Sequence, residues 1–173
     1  MIPILVFYDQ EVNMDSTPDD IERAATLRIV EMALPLFSQE SWEEVIGFFA
    51  DDGVLEFPFA PPGRRSRYVG KPDILAYMKP IAGRIKVDEI VYHKLYPMLD
   101  PKMVCMEMGV KGHIAASGAA FNQKYVSFFE TKAGKLWRYR EYWNPVISMD
   151  ANGGRDAWTS AFGSPEREGA EAP

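Results

Sequence analysis

The stretch that decides the fold is KAGKLWRYREYWNPVI, residues 132–147. Its first four residues are typical of a tight hairpin connection, and the rest alternates between two faces, as the side chains of a β-strand do. The opposite face of this strand carries arginines, which require water. We therefore expect the strand to point Glu141 inward. The inward face carries three aromatic rings around a single carboxyl: Trp137, Tyr139, Glu141 and Trp143.

Three earlier runs show the same alternation with a period of two. They cover residues 85–96, 103–114 and 120–131, and short turns join them to one another and to the last strand. This order predicts an antiparallel meander of four long strands. In the third run, Gln123 and Tyr125 fall on the more aromatic face, so both are predicted neighbours of Glu141.

The first half of the chain is mostly helical in pattern. The predicted elements are a helix over 17–35, a helix over 41–51 opened by a capping box at Ser41, a strand over 54–59, a short strand at 68–69 and a helix over 72–79. Phe57 and Phe59 share a face of the 54–59 strand. Helices gathered before antiparallel strands indicate an α+β fold, here a cone-shaped curved antiparallel sheet wrapped around N-terminal helices.

Three segments are expected along the chain. Residues 1–18 form an N-terminal arm or strand, residues 19–148 form the α+β cone domain, and residues 149–173 form a loose C-terminal tail. The tail is rich in small and polar residues and has few bulky apolar ones, which is why we expect it to stay loose.

The composition is that of a globular chain and removes several function classes. Of 173 residues, 47% are hydrophobic and 25% charged, with a net charge of −6, so no bulk basic surface for nucleic acid is expected. One cysteine and two histidines exclude an internal disulfide and argue against a Cys- or His-rich metal site. No run approaches the ~18 apolar residues of a membrane helix. The apolar opening lacks a basic n-region. We expect a cytoplasmic protein with neither nucleic acid nor membrane as a partner.

The inward carboxyl of Glu141 is the leading candidate for chemistry. A carboxyl among aromatic rings loses hydration, which disfavours its charged form and raises its pKa, as a general acid or base near neutral pH requires. Two simpler interpretations remain open. Glu141 is tied to Tyr125, Gln123 or a buried water and only fixes the strand register. Alternatively, Arg138 or Arg140 pairs with it at the rim.

Two other features are open to a functional and a simpler interpretation. His93 lies on an apolar face of the 85–96 run, where it is either a satisfied core histidine or a further acid or base. The basic loop over residues 64–67 is either solvated or meets an anionic substrate.

The order of elements, with FFADDGVLEFP at residues 48–58, resembles the nuclear transport factor 2-like superfamily. Further segments that carry the likeness are VGKP at 69–72, NQKYV at 122–126 and GKLWRYREYWNP at 134–145. The last is similar to the closing strand of SnoaL-like polyketide cyclases and of the phenazine-biosynthesis A/B proteins. The resemblance covers about residues 19–148 and implies a cystatin-like cone with a small-molecule pocket, in a homodimer formed through the outer sheet face. The superfamily spans isomerases, dehydratases, cyclases and non-catalytic binding domains.

The roles known for these families can be compared position by position. Ketosteroid isomerase has its base where this chain has Phe57, and its oxyanion donors fall near Ala33 and Val126, so none of the three matches. In the phenazine A/B proteins, a glutamate in the last strand acts as acid and base, and Glu141 matches it. Their histidine in the third helix falls at about Tyr77, which can donate a hydrogen bond but cannot shuttle protons at neutral pH in the same way.

The sequence and the resemblance together predict a cofactor-free enzyme that acts on a hydrophobic, ring-containing small molecule without a metal. Glu141 transfers a proton, and Tyr125 and Tyr77 polarise or orient an oxygen. The reaction class is isomerisation, cyclisation, dehydration or condensation. The alternative is a non-catalytic small-molecule-binding or dimerisation module of the same fold. The residues expected to bind the substrate are Phe57, Phe59, His93, Gln123, Trp137, Tyr139 and Trp143.

Overall fold

The structure, a computed structural model, describes residues 16–61, 64–81 and 83–157. Nearly all of the expected N-terminal arm and the tail after residue 157 lie outside the described residues, so the boundaries expected at 18 and 149 stay predictions. The elements are α1 (Pro18–Ser38), α2 (Trp42–Phe48), β1 (Phe49–Glu56), β2 (Arg67–Val69), α3 (Lys71–Met78), a 3-10 turn (Lys79–Ile81), β3 (Ile85–Pro97), β4 (Met103–Ile114), β5 (Gln123–Lys132), β6 (Lys135–Trp143) and α4 (Pro145–Ala151).

The six described strands form one mixed sheet in the order β2-β1-β6-β5-β4-β3. The four long strands β3 to β6 pair antiparallel in chain order, so the predicted meander is confirmed. Strand β1 pairs in parallel with β6, at the edge of the meander opposite β3. Local sequence patterns do not encode this parallel pairing. The register places Ser127 opposite Glu141 and Tyr125 opposite Trp143, so the inward faces of β5 and β6 form one continuous surface.

The first helix is longer than expected. Thr17 closes a capping box with Asp20, but the helix continues through Pro35 to Ser38 instead of ending near the proline. Pro35 removes one backbone donor close to the end of the helix, and its carbonyl accepts from the Gln39 N–H at 3.0 Å, so the last turn still closes. The side chain of Phe37 in this turn packs against the core.

The second helix is shorter than expected, and the strand after it starts earlier. The Ser41 side chain makes no capping hydrogen bond, and α2 ends at Phe48 rather than near residue 51. The reason is tertiary: Phe49 is fully buried and pairs with Leu136 of β6, which pulls the backbone into the sheet. Strand β1 therefore covers 49–56 and ends before Phe59, not at it.

The last predicted strand also ends early. Strand β6 stops at Trp143, and the following residues, expected to continue as a strand to 147, form helix α4. Asn144 caps this helix, because its side chain accepts from the Val146 N–H at 3.0 Å, and Pro145 occupies the first helical turn, where no backbone donor is needed. Strand β5 begins at Gln123 rather than 120.

Helices α1, α2 and α3 cover one face of the curved sheet and bury the core between them. Leu27, Val30 and Leu34 of α1 pack towards Val104, Met106 and Phe129 of the central strands. Thus the expected α+β fold, with a curved sheet closed by N-terminal helices, is confirmed. The sheet is mixed rather than wholly antiparallel as expected, because β1 pairs in parallel with β6. No helix in the described part of the chain is both long and apolar enough to cross a bilayer.

Candidate functional site

A cavity of about 230 Å³ lies between the helices and the inward face of the sheet. Its walls are mostly apolar and come from all three N-terminal helices, the strands β1 and β3 to β6, and the loop before β2. The volume lies just below the roughly 300–1,000 Å³ of pockets for drug-sized ligands, so the space suits a small molecule. The polar side chains on its walls include Glu40, Arg64, Tyr77, Tyr125 and Glu141.

Glu141 brings a carboxyl into this apolar space. Burial raises its pKa from the ordinary 4.5 to about 7, because the charged form loses hydration there. The Tyr139 hydroxyl donates a hydrogen bond to Glu141 Oε2, which lowers the pKa and opposes part of that rise. The carboxyl therefore exchanges between its acid and base forms near neutral pH, where both directions of proton transfer are accessible.

Tyr139 is held firmly enough to orient that carboxyl. It is 6% exposed, its ring stacks on Phe129 at 4.6 Å between centroids, and Phe37 meets its other side edge-on at 5.6 Å. Burial and the charge of Glu141 raise the pKa of the Tyr139 hydroxyl well above its ordinary range, so it stays protonated and remains a donor. The sequence predicts that Tyr139 binds the substrate. In the structure its hydroxyl is also hydrogen-bonded to Glu141.

Two further tyrosines face the same cavity. Burial, followed by the charge of Glu141, raises the pKa of both Tyr125 and Tyr77. Both hydroxyls are therefore neutral donors at physiological pH. Tyr125 lies on β5 opposite Trp143, and Tyr77 lies on α3, where its ring contacts Phe57 at 5.0 Å and Tyr68 at 4.4 Å.

The structure brings six of the ten predicted site residues to one cavity. They are Phe57, Tyr77, Tyr125, Tyr139, Glu141 and Trp143. This grouping includes all three candidates for catalysis and joins Phe57, directly after β1, to side chains from α3, β5 and β6. Neither Arg138 nor Arg140 reaches Glu141, because both guanidinium groups approach Glu56 on the opposite face of the sheet, Arg140 at 3.0 Å.

Four predicted binding residues do not line the cavity. Phe59 follows the end of β1, is 59% exposed and meets Tyr142 edge-on at 5.2 Å on the outer face. The alternation that placed it beside Phe57 ends with the strand at Glu56. His93 lies half-buried on β3, outside the cavity lining.

The other two are held by neighbouring groups. Gln123 is buried and structural, because its Nε2 donates to the Asn144 carbonyl at 2.9 Å and its Oε1 accepts from the Asn144 N–H at 3.3 Å. It therefore fixes the junction of β6 and α4. Trp137 lies near the β5–β6 hairpin, where the Lys132 and Arg138 cations lie over its ring at 5.6 and 5.2 Å.

Several cavity residues were not identified from the sequence. Met106 and Met108 of β4 line the cavity, and the period-two alternation of that strand was the signal that could have found them. Glu40 had no such signal. It has a positive φ of 57° after α1 and accepts from the Gly83 N–H at 3.0 Å and from Lys86 at 3.2 Å, across more than forty residues.

Comparison with known proteins gives matches over the same region. The SnoaL-like domain family matches residues 30–139. The uncharacterised protein YesE of Bacillus subtilis is 34% identical over 124 residues, which is 72% of this chain and 82% of that protein. An uncharacterised PhzA/B-like protein of Pseudomonas aeruginosa is 35% identical over 63% of this chain and 77% of its own length. The crystal structure of a candidate isomerase from Bacillus subtilis superposes with a TM-score of 0.71 at 29% identity, covering 80% of this chain and 98% of that one. The fold and the enclosed cavity together support a role in binding or transforming a small molecule.

Proposed function

Because the chain belongs to the SnoaL-like domain family, and because its cavity presents a carboxyl poised near neutral pH, we propose that it is a cofactor-free acid–base catalyst. Its substrate is a hydrophobic, ring-containing small molecule, and Glu141 moves a proton next to a carbonyl or imine. The observation that carries the proposal is the Glu141 carboxyl, set in an apolar cavity and oriented by the Tyr139 hydroxyl.

The proton balance of the reaction needs only this one acid–base group. As carboxylate, Glu141 takes a proton from the carbon beside the carbonyl. The electron pair of that C–H bond forms a carbon–carbon double bond, and the π pair of the carbonyl moves onto its oxygen. The resulting enolate recovers a proton at carbon from the same carboxyl, the carbonyl re-forms, and Glu141 returns to its carboxylate form. Return of the proton to a different carbon is isomerisation. In cyclisation or condensation the enolate carbon instead forms a bond to a second carbonyl carbon, the π pair of that carbonyl moves onto its oxygen, and this alkoxide takes the proton that Glu141 holds.

The tyrosines supply the stabilisation that such an intermediate requires. Neutral Tyr125 and Tyr77 donate to the developing oxyanion from two sides of the cavity, where the low dielectric strengthens each hydrogen bond. The rings of Phe57 and Trp143 form apolar walls for a ring-containing substrate. The 29%-identical candidate isomerase supports a reaction of this class.

The test is deuterium exchange at carbon. 2-Tetralone, a two-ring ketone with acidic C–H bonds, is incubated with the protein in D2O, and the loss of its proton signals is followed by NMR. A positioned general base contributes roughly 10²–10⁴-fold in rate, so Glu141→Gln should lose an effect of that size. Glu130→Gln is the matched control, since Glu130 lies 4.0 Å from Arg138 on the outer face.

Two results would overturn the proposal. Full exchange by Glu141→Gln would remove the assigned base. Bound ketone with no exchange above the buffer rate in the unmodified protein would favour the non-catalytic binding module.

The protein is also proposed to act as a homodimer formed through the outer face of the sheet. Phe59 and Val126 expose 59% and 37% of their surface there, beside Phe128 and Tyr142. Light scattering at high micromolar concentration should give twice the chain mass, and a monomeric mass would contradict this assembly.

A further inference from the structure

We propose that Ser127 is a positioning residue of this site: its hydroxyl donates a hydrogen bond to the Tyr139 oxygen and so directs the Tyr139 hydrogen onto Glu141. The inference rests on the proposed function in taking Glu141 as the group that carries the chemistry. It goes beyond that function because Ser127 does not line the cavity, so the side chain would act on the reaction without touching a substrate.

The register of the sheet places Ser127 beside the carboxyl. Ser127 of β5 pairs with Glu141 of β6, and the neighbouring inward pair is Phe129 with Tyr139. Side chains directly opposite each other in an antiparallel pair lie about 4.5–5.5 Å apart at Cβ, and diagonal neighbours stay within reach of an aromatic side chain. The Tyr139 side chain extends towards Glu141, because its hydroxyl donates to Glu141 Oε2. The Tyr139 oxygen is thereby brought towards Ser127.

The Ser127 hydroxyl is a buried donor that is not yet used. The side chain is 0% exposed, and its Oγ has no hydrogen-bond partner within the described residues. Folded proteins pair the large majority of their buried hydroxyls, because such a group has given up its hydrogen bonds to water. A serine hydroxyl also turns readily to suit an acceptor. An acceptor beside Ser127 is therefore the expected partner of this hydroxyl.

The Tyr139 oxygen is that acceptor. Tyr139 gives its hydrogen to Glu141, so the lone pairs of its oxygen are left for a neighbouring donor. Burial and the charge of Glu141 raise the pKa of the Tyr139 hydroxyl, whereas Ser127 lowers it, as a donor to that oxygen does. The pKa of Glu141 responds to burial and to Tyr139. Ser127 therefore acts on the carboxyl through the tyrosine.

A chain of two hydrogen bonds, from Ser127 to Tyr139 and on to Glu141, strengthens its second bond. Each bond in such a chain polarises the next and strengthens it by about 10–30%. The strengthened bond favours the charged carboxylate over the neutral acid. Ser127 therefore helps to maintain Glu141 in the form that takes a proton from carbon.

The experiment is a double-mutant cycle on the titration of Glu141. The midpoint is read by ¹³C NMR of protein labelled at glutamate carboxyls, in the unmodified protein, Ser127→Ala, Tyr139→Phe and the double variant. Tyr139→Phe should raise the midpoint by roughly one to two pH units, because it removes a hydrogen bond to a charged group. Ser127→Ala should raise it by roughly 0.1–0.6 pH unit, which is 10–30% of that effect. In the Tyr139→Phe background, Ser127→Ala should add nothing, since the acceptor is gone.

Thr131→Val is the matched control, because it also removes a buried hydroxyl from β5. Thr131 Oγ1 lies 2.9 Å from Thr26 Oγ1, and neither residue lines the cavity. The variant should lower the free energy of unfolding, since the Thr26 hydroxyl loses its partner. It should leave the Glu141 midpoint where it is in the unmodified protein, so a change in midpoint reports on the site and not on stability.

Three results would overturn the inference. The first is a folded Ser127→Ala protein whose Glu141 midpoint is unchanged or lower. The second is a rise of equal size in the Tyr139→Phe background, which would mean that Ser127 acts on Glu141 directly. The third is an equal rise in Thr131→Val. The titration is measured without substrate, so a failure of carbon exchange would remove the proposed function and leave the coupling of Ser127, Tyr139 and Glu141 in place, and the reverse.

Discussion

Removing the hydroxyl of Tyr139 should raise the pKa of Glu141 above its value of about 7. The hydroxyl donates to Glu141 Oε2, and a donor stabilises the charged carboxylate more than the neutral acid. A hydrogen bond to a charged group contributes about 1.5–3 kcal/mol. Since 1.36 kcal/mol corresponds to a tenfold change in the protonation equilibrium, the titration midpoint should rise by roughly one to two pH units.

Tyr139→Phe is a clean perturbation because the ring keeps its packing. It still stacks on Phe129 and meets Phe37 edge-on, so the variant is expected to fold. The assay is a ¹³C NMR titration of protein labelled at glutamate carboxyls, with the Glu141 signal assigned from its loss in Glu141→Gln.

Tyr142→Phe is the control for this titration, because the ring of Tyr142 lies on the outer face against Phe59 and Phe128. It should leave the Glu141 midpoint unchanged. A folded Tyr139→Phe protein whose Glu141 midpoint is unchanged or lower would refute the reasoning, because the hydroxyl would then not stabilise the carboxylate.

Two further predictions concern stability. Between pH 4.5 and about 7 the folded protein binds more protons at Glu141 than the unfolded chain, so stability should fall with rising pH across that window and level off above it. The total fall is at most roughly 3.4 kcal/mol, because each pH unit of the difference corresponds to 1.36 kcal/mol. Glu141→Gln removes this dependence and should raise Tm at pH 8 relative to the unmodified protein, and an unchanged or lower Tm there would contradict it. Gln123→Leu leaves the Asn144 N–H and carbonyl without their side-chain partner, so urea unfolding should show a loss of about 1–3 kcal/mol. Deuterium exchange into 2-tetralone should continue at the unmodified rate, and a slower exchange with unchanged stability would show that Gln123 belongs to the binding site.

Much of the site could be read from one strand. The period-two alternation of residues 136–143 placed Tyr139, Glu141 and Trp143 on one face, and the arginines on the other face showed which face was solvated. This worked because β6 lies in the middle of the sheet, with one face against the core and one towards solvent. The resemblance contributed Tyr77, which alternation alone would not have linked to Glu141.

The errors arose where an element ended or where distant residues met. The prediction that Phe59 lies beside Phe57 extended β1 beyond its end at Glu56. The prediction that residues 144–147 form a strand extended β6 beyond its end at Trp143. Gln123 is buried, but its side chain hydrogen-bonds to the backbone of Asn144 and does not line the cavity. Parallel pairing of β1 with β6 and the hydrogen bond from Gly83 to Glu40 join segments too far apart in sequence for local patterns to show them.

The central claim is that Glu141 transfers protons to and from carbon in this cavity. The most direct measurement is the pH dependence of deuterium exchange into 2-tetralone, set beside the NMR titration of Glu141 in the same protein. The rate should rise as the carboxyl loses its proton, with a midpoint at about 7 that coincides with the titration, and the rise should vanish in Glu141→Gln. A midpoint that departs from the Glu141 titration, or a rise that persists in Glu141→Gln, would contradict the account.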